Sequence, residues 1–398
     1  MSTPSLLNIP YLYKAGTLYS QIPESGAGDF TVSRTTTVAN RSTRINKDGL
    51  IELVNDNVPR LDYPVGGAVN GCPALLVEPS AINICLRSTW EGGGASPTGW
   101  SPFTLGGTST PIASLLGNDS VAYSFSTTAS QRVFFSQTIT ISNATNYTFS
   151  FYVESIATGV RIDEIMLFQS GASSVVFVDP DGITISAATV ISKIGRYQVR
   201  MLSTATSTTI RIGIGVSNNI AGLFALSRPQ LEVGSVATSY IPTTTASVTR
   251  SAETITNTTA SALIGQSEGT IYWDIAAVGG VLTGTGNPQF GVRNSAFTNW
   301  IGLTSNGVSN PFRITAQATT GALINYQANI TSGKAALAWS SAGLVLYVNG
   351  ISVATSATNP NFSFSRVDII GLMTFKANAF ELHPNRLTNA QLATLTAL

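Results

Sequence analysis

The chain has 398 residues, a net charge of +1 and charged side chains at only 10% of its positions, against about a quarter in ordinary soluble domains. That balance excludes the broad electrostatic attraction that a nucleic-acid or anionic-membrane partner needs; no stretch of about 18 apolar residues occurs, and Met1 to Lys14 has no basic segment leading into a long apolar run, so neither membrane insertion nor a secretory signal is expected. The polar surface has to be made of Ser, Thr, Asn and Gly, which suits pleated sheet, and so weakly charged a surface is expected to be covered in part by further copies of the chain.

The length supports about two or three domains. The first block runs from residue 1 to 87. Pro4, Pro10, Pro23 and the run Glu24-Ser-Gly-Ala-Gly-Asp29 punctuate its start too often for a long element, so an extended arm that lies on a partner is expected. Phe30 to Arg34, Arg44-Ile45 and Leu50 to Val54 read as strands, with Asp48-Gly49 as a hairpin turn because Gly takes positive φ at little cost. Residues 30 to 87 therefore form a small β unit.

Pro59-Arg-Leu-Asp-Tyr-Pro64, a Gly-rich insert through Gly71, Cys72-Pro-Ala-Leu-Leu-Val-Glu-Pro79 and Ser80-Ala-Ile-Asn83 follow. This string resembles a segment near the front of tailed-bacteriophage virion proteins. The resemblance implies a protein made in the host cytoplasm and exposed on a virus particle, with the arm and small unit as the adaptor to other virion proteins. Cys72 and Cys85 would close a short loop, which a disulfide would stabilise by about 3 kcal/mol; the favoured reading is two small buried apolar side chains in a reducing cytoplasm. Five sequons, at Asn40, Asn118, Asn143, Asn146 and Asn329, arise by chance in a chain this rich in Asn, Ser and Thr.

The second block spans 88 to 245. Tyr147, Phe149, Phe151 and Val153 alternate with Thr148, Ser150 and Tyr152, the period of a half-buried strand, and Ile210 to Val216 repeats the pattern. Arg196-Tyr-Gln-Val-Arg-Met201 does so with Arg196, Gln198 and Arg200 outward, and Pro180-Asp-Gly182 is a turn between Val175–Val178 and Ile183–Ile185. Trp90, Trp100, these strands and the closing Leu226-Ser-Arg-Pro-Gln-Leu-Glu-Val-Gly-Ser-Val-Ala-Thr-Ser-Tyr-Ile-Pro242 together resemble a carbohydrate-binding-module jelly roll. The closing phrase is also similar to one found in phage tail proteins.

The third block, 246 to 398, opens in a polar stretch, Thr243 to Thr259, that reads as a linker or an edge strand. Gly269 to Ile275 puts Ile271, Trp273 and Ile275 on one face; Lys334–Trp339, Gly343–Val348 and Ile351–Val353 follow, the last two joined through Asn349-Gly350, a pair suited to a type I′ turn. With Arg366–Gly371 these strands resemble a laminin-G or concanavalin A-like sandwich over about residues 261 to 398. Thr388 and Gln391 have capping-box spacing, and Leu392, Leu395 and Leu398 have helical spacing, so a short C-terminal helix should pack on this sandwich. No heptad, collagen or solenoid repeat is visible, which leaves the β domains or the arm to form any oligomer. The fold class expected is all-β: an arm and small β unit, two antiparallel sandwiches and a short helix.

Glycan hydrolysis needs two carboxylates about 5 to 9 Å apart. Along single strands of the third block, Glu253, Glu268, Asp274, Asp368 and Glu381 make no such pair, Asp163 and Glu164 are adjacent and face apart, and Asp179 and Asp181 belong to a turn. The one histidine, His383, has no triad partners or zinc spacing. No enzyme, metal or cofactor is expected. Sugar binding by a sandwich uses exposed aromatic faces. Trp90 and Trp100 lie in Gly- and Pro-rich text and are the leading candidates, with cover of a sandwich end as the competing reading; Trp300 is a third candidate, and Trp273 and Trp339 are assigned to core. The expected function is a phage fibre or capsid-decorating appendage, a homotrimer adhering to host or environmental glycans. The alternatives are a purely structural particle component and a polysaccharide depolymerase.

Overall fold

The computed structural model describes residues 3–38, 41–63, 72–92, 94–117, 120–279, 289–304, 312–328 and 332–398. Most of the Gly-rich insert and the sequon asparagines Asn40, Asn118 and Asn329 lie outside the described residues. Among the described residues the architecture is all-β and antiparallel, as expected, with one short α-helix.

The chain divides into two compact units rather than three successive blocks. The first holds Met1–Thr35, Asn55–Ser80 and Ser251–Leu398; the second holds Thr36–Val54 and Ala81–Arg250. Residues 1 to 87 are thus shared between the units, and the reason is strand pairing. Leu6–Asn8, expected in a partner-seeking arm, pairs with Leu382, Glu381 and Phe380 of the last strand, and Leu6 is wholly buried. Arg60–Asp62 and Ala74–Val77 pair with each other and extend the same edge through Val77 opposite Phe375. The early strands complete sheets that the C-terminal residues leave unfinished.

In the first unit one sheet runs Ile351–Ser356, Gly343–Val348, Gly333–Ser340, Gly269–Gly279, Thr374–His383, Ala74–Val77, Arg60–Asp62, with Leu6–Asn8 also on Thr374–His383. The other runs Tyr13–Lys14, Thr17–Leu18, Phe30–Ser33, Thr254–Asn257, Arg366–Ile370, Phe290–Arg293, Trp300–Thr304, Phe312–Ala318, Gly321–Ala328. Ile271, Trp273, Ile275, Leu337 and Trp339 alternate into the core between them, and Asn349 and Gly350 take φ of 49° and 82° at the expected hairpin. The helix Asn389–Leu395 has both halves of the capping box, Thr388 with Gln391. Leu392 is buried and Leu395 packs beside it, but Leu398 lies past the helix and is 87% exposed, because the helix stops before a third apolar turn.

Residues 59–63 and 72–79 have a structural role in this unit. Arg60 is fully buried; its Nε donates to Glu253 Oε1 at 2.8 Å and its Nη1 lies 2.7 Å from Glu78 Oε2. Glu253 Oε2 accepts the Glu78 backbone N–H at 2.8 Å, and the Arg34 guanidinium stands 3.5 Å away. Burial alone would pull the Arg60 pKa down, but Glu253 and Glu78 outweigh it and raise it. Arg34, Arg60, Glu78 and Glu253 thus form a buried cluster of opposite charges.

In the second unit a seven-stranded sheet runs Thr108–Ala113, Val121–Thr127, Gly222–Val233, Asn146–Thr158, Gly195–Ser203, Ala172–Val178, Thr184–Ile185. A four-stranded sheet runs Ser101–Leu105, Arg132–Thr140, Ser207–Ile214, Met166–Phe168. The hairpin Ser42–Ile45 with Ile51–Val54 and the two-stranded pairing of Ala81–Asn83 with Val248–Arg250 complete it. Tyr147, Phe149, Phe151 and Val153 enter the core as the alternation predicts. The opposite face differs from expectation: Thr148, Ser150, Tyr152, Gln230 and Glu232 are buried too, so the central strands are covered on both sides.

The closing phrase of residues 226 to 242 supplies that cover. After strand Gly222–Val233 the chain turns back, and Glu232 accepts from the Thr238 N–H at 3.0 Å and from its hydroxyl. Gln230 donates to Glu232 at 2.6 Å and accepts the Ile241 N–H at 2.6 Å, while Arg196 donates to the Thr238 carbonyl and, at 2.8 Å, to Ser150 Oγ. Arg228, buried at φ 52°, reaches Glu154 at 3.0 Å. The polar residues of the phrase are therefore spent on holding the returning segment down.

Candidate functional site

The three tryptophans named as sugar-binding candidates are buried, and their faces are not available for stacking. Trp90 has no exposed surface and meets Trp100, Tyr123 and Phe135 edge-on, at ring separations of 5.8, 5.7 and 5.6 Å. Trp100 is 4% exposed and donates its indole N–H to the Arg87 carbonyl at 3.3 Å. Trp300 is 6% exposed, on a strand paired on both sides, with Arg293 and with Gln317. Glycine-rich text around Trp90 and Trp100 marks the loops that carry them into the sandwich core, not a loop that presents them. Cys85 is buried and Cys72 exposed, and neither is in a disulfide.

Among the described residues the exposed aromatic side chains are Tyr11, Phe103 and Phe297. The Arg293 guanidinium sits 3.5 Å from the centre of the Phe297 ring and occupies one of its faces. Phe103 is placed differently. Strand Ser101–Leu105 is exposed along its whole length as the edge of the four-stranded sheet, with Phe103 opposite Phe134 in register. The two rings stack at 4.7 Å and 13°, leaving 43% of Phe103 in solvent. Phe134 is in turn opposite Gly213, where φ is 151° and an added Cβ would fall 2.5 Å from Phe134 Cα, so glycine is what allows this ring to settle. The Arg211 guanidinium lies 5.2 Å from the centre of the same ring.

The register sets out the rest of this outward face. Val133, Phe135 and Ile139 point into the core, so Arg132, Phe134, Ser136 and Thr138 point out, flanked by Ser101, Phe103 and Leu105 on one side and Thr209 and Arg211 on the other. Ser136 Oγ donates to the Ser101 carbonyl at 3.2 Å, and the hydroxyls of Thr138 and Thr209 share a hydrogen bond of 2.9 Å. An exposed ring at the sheet edge thus stacks on its cross-strand neighbour, on a face that also carries hydroxyls and a guanidinium. Such a surface can stack on the apolar face of a sugar and bond its hydroxyls. The sequence signal for it was Ser101-Pro-Phe-Thr-Leu105, an alternating stretch without a charge.

The carboxylates need a correction as well. Tyr272 is opposite Glu381 and Asp274 is opposite Ala379, so Asp274 and Glu381, absent as a pair along any one strand, share the outward face of two neighbouring strands. Both raise the pKa of the Tyr272 phenol, on top of the larger effect of its burial. Asp274 accepts from Asn378 Nδ2 at 3.0 Å, and Glu381 lies 3.1 Å from His383 Nε2. Asp368 is held by Arg293 and Arg366. Among the described residues no group of three or more His, Cys, Asp and Glu side chains is arranged to hold a metal ion.

No family model and no curated protein matches this chain. Among solved structures it is similar to the N-terminal CBM22-1–CBM22-2 tandem domain of Xyn10C from Paenibacillus barcinonensis, with 12% identity, 78% of this chain and 99% of that chain covered, and a TM-score of 0.26. No residue, ligand or role is carried from that protein to this one.

Proposed function

We propose that this chain is a non-catalytic glycan-adhesion protein, and that it serves as a fibre or decorating appendage of a bacteriophage particle. The observation that carries the adhesive part is Phe103, stacked on Phe134 and open to solvent on a sheet face lined with hydroxyls. Support for the particle location comes from the likeness of residues 59 to 83 and 226 to 242 to virion phrases. Attachment to other virion proteins would use the exposed apolar segment around Ile9, Tyr11 and Leu12, and repetition on several copies would turn one shallow site into useful avidity.

A glycan array tests the adhesive reading. The full chain should bind a subset of glycans, and Phe103→Ala should reduce that binding by about tenfold or more, as expected for a lost stacking platform of 1.5 kcal/mol or so. An array without a single hit would leave the purely structural reading in its place. The depolymerase reading is favoured by one observation, the shared face of Asp274 and Glu381. It requires new reducing ends from host polysaccharide, abolished in Asp274→Asn and in Glu381→Gln.

A further inference from the structure

The charges on the Phe103 face go further than its shape. Of the four strands Ser101–Leu105, Arg132–Thr140, Ser207–Ile214 and Met166–Phe168, the charged residues are Arg132 and Arg211, both on the outward face; none of the four contains an acid. Arg132 donates to a neutral partner, Asn219 Oδ1, at 2.7 Å. Arg211 reaches only the Val216 carbonyl, at a long 3.4 Å, and otherwise lies over the Phe134 ring. Among the described residues no ion pair involves either of them. Glu164, the acid beside the loop at Val216, is 3% exposed and spends its oxygens on the Ser217 N–H, the Asn218 N–H and the Asn218 side chain.

In a chain this poor in charge, two half-exposed arginines without a carboxylate on one platform form a concentrated positive face. We infer that the ligand of the Phe103 platform is an acidic polysaccharide, whose sugar ring stacks on Phe103 while its carboxylate groups pair with Arg211 and Arg132. Guanidinium groups match carboxylates with paired N–H donors, and the partly desolvated rim of a sheet face strengthens such bonds relative to open water. This inference rests on the platform reading above and adds the class of sugar to it.

The test compares polygalacturonate, alginate and hyaluronan with the carboxyl-reduced form of each, which keeps the backbone and removes the charge. Binding of the full chain is measured by surface-immobilised polysaccharide at low and at moderate salt. At least one acidic form should bind and its reduced form should bind about tenfold or more weakly; Arg211→Gln should lower affinity for the acidic form about tenfold, Arg132→Gln by a similar or smaller factor, and added salt should weaken wild type more than either variant. Arg211→Lys should recover part of the loss, and thermal melting of each variant checks that the fold is intact. Should Arg211→Gln fail to fold, Arg132→Gln and the salt comparison carry the test. Equal binding of an acidic form and its reduced form, with Phe103→Ala defective on both, would overturn the acidic ligand and leave the platform standing. Binding untouched by Phe103→Ala would remove the platform itself, and no binding to any of the six would overturn the inference.

Discussion

Trp90 and Phe103 show how one residue class can serve opposite purposes in one unit. Trp90 is enclosed by aromatic edges, so its contribution is packing: Trp90→Ala should cost about 3 to 5 kcal/mol, read from the midpoint of denaturant unfolding. Phe103 shares only one of its faces with the fold, so its truncation should disturb stability far less than it disturbs binding. Arg60 is the polar counterpart of Trp90. Its replacement by Leu would remove the guanidinium that both Glu78 and Glu253 bond in the interior, and should destabilise by roughly 3 to 5 kcal/mol in the same measurement. A smaller loss would mean that water reaches the cluster. The string around Arg60 and Glu78 stood out in the sequence, but the buried ion pair of Arg60 with Glu253 required residues far apart in sequence.

At the scale of elements, turns were the most legible features. Gly49, Gly182 and Gly350 all take positive φ where the Asp-Gly and Asn-Gly pairs implied it, because few other residues tolerate that conformation. The turn at Asp179 also has an electrostatic lock. Asp179 Oδ1 accepts from the Asp181 and Ile183 N–H groups at 3.0 and 2.9 Å, and Lys193 Nζ lies 2.5 Å from its other oxygen. Burial opposes ionisation of this carboxyl, but Lys193 and the two amides prevail and hold its pKa below the ordinary aspartate value. Its contribution is complete above the unfolded pKa, about 3.9, and fades as pH falls through the lower folded pKa. The stability difference between wild type and Asp179→Asn should therefore be constant from neutral pH down to about 5 and shrink below about 4; a constant difference down to pH 2 would show that Asp179 is not the titrating group. Edge strands carry their own protection: Pro102 and Pro111 lie in the exposed strands Ser101–Leu105 and Thr108–Ala113, where a missing N–H discourages pairing with another chain.

For the whole molecule, the proposed assembly is tested by size-exclusion chromatography with light scattering. A mass of three copies is expected at micromolar concentration, and a monomer would count against burial of the weakly charged surface between copies. Composition and period-two alternation were enough to read an all-β, antiparallel chain with its helix at the end, since those features depend on neighbours a few residues away. Which aromatic faces solvent was not readable in the same way. Alternation says that a strand has two faces, but the cover over the second face comes from distant segments: residues 238 to 241 return over the second unit's central strands, and Leu6–Asn8 supplies an edge partner to Thr374–His383. Burial is a property of everything packed around a side chain, so Trp90 and Trp100 lie in a core and Trp300 is buried on the other face of a strand whose Ile301 and Leu303 face the core, while Phe103, in a stretch with nothing to mark it but missing charge, is left open on a supporting sheet.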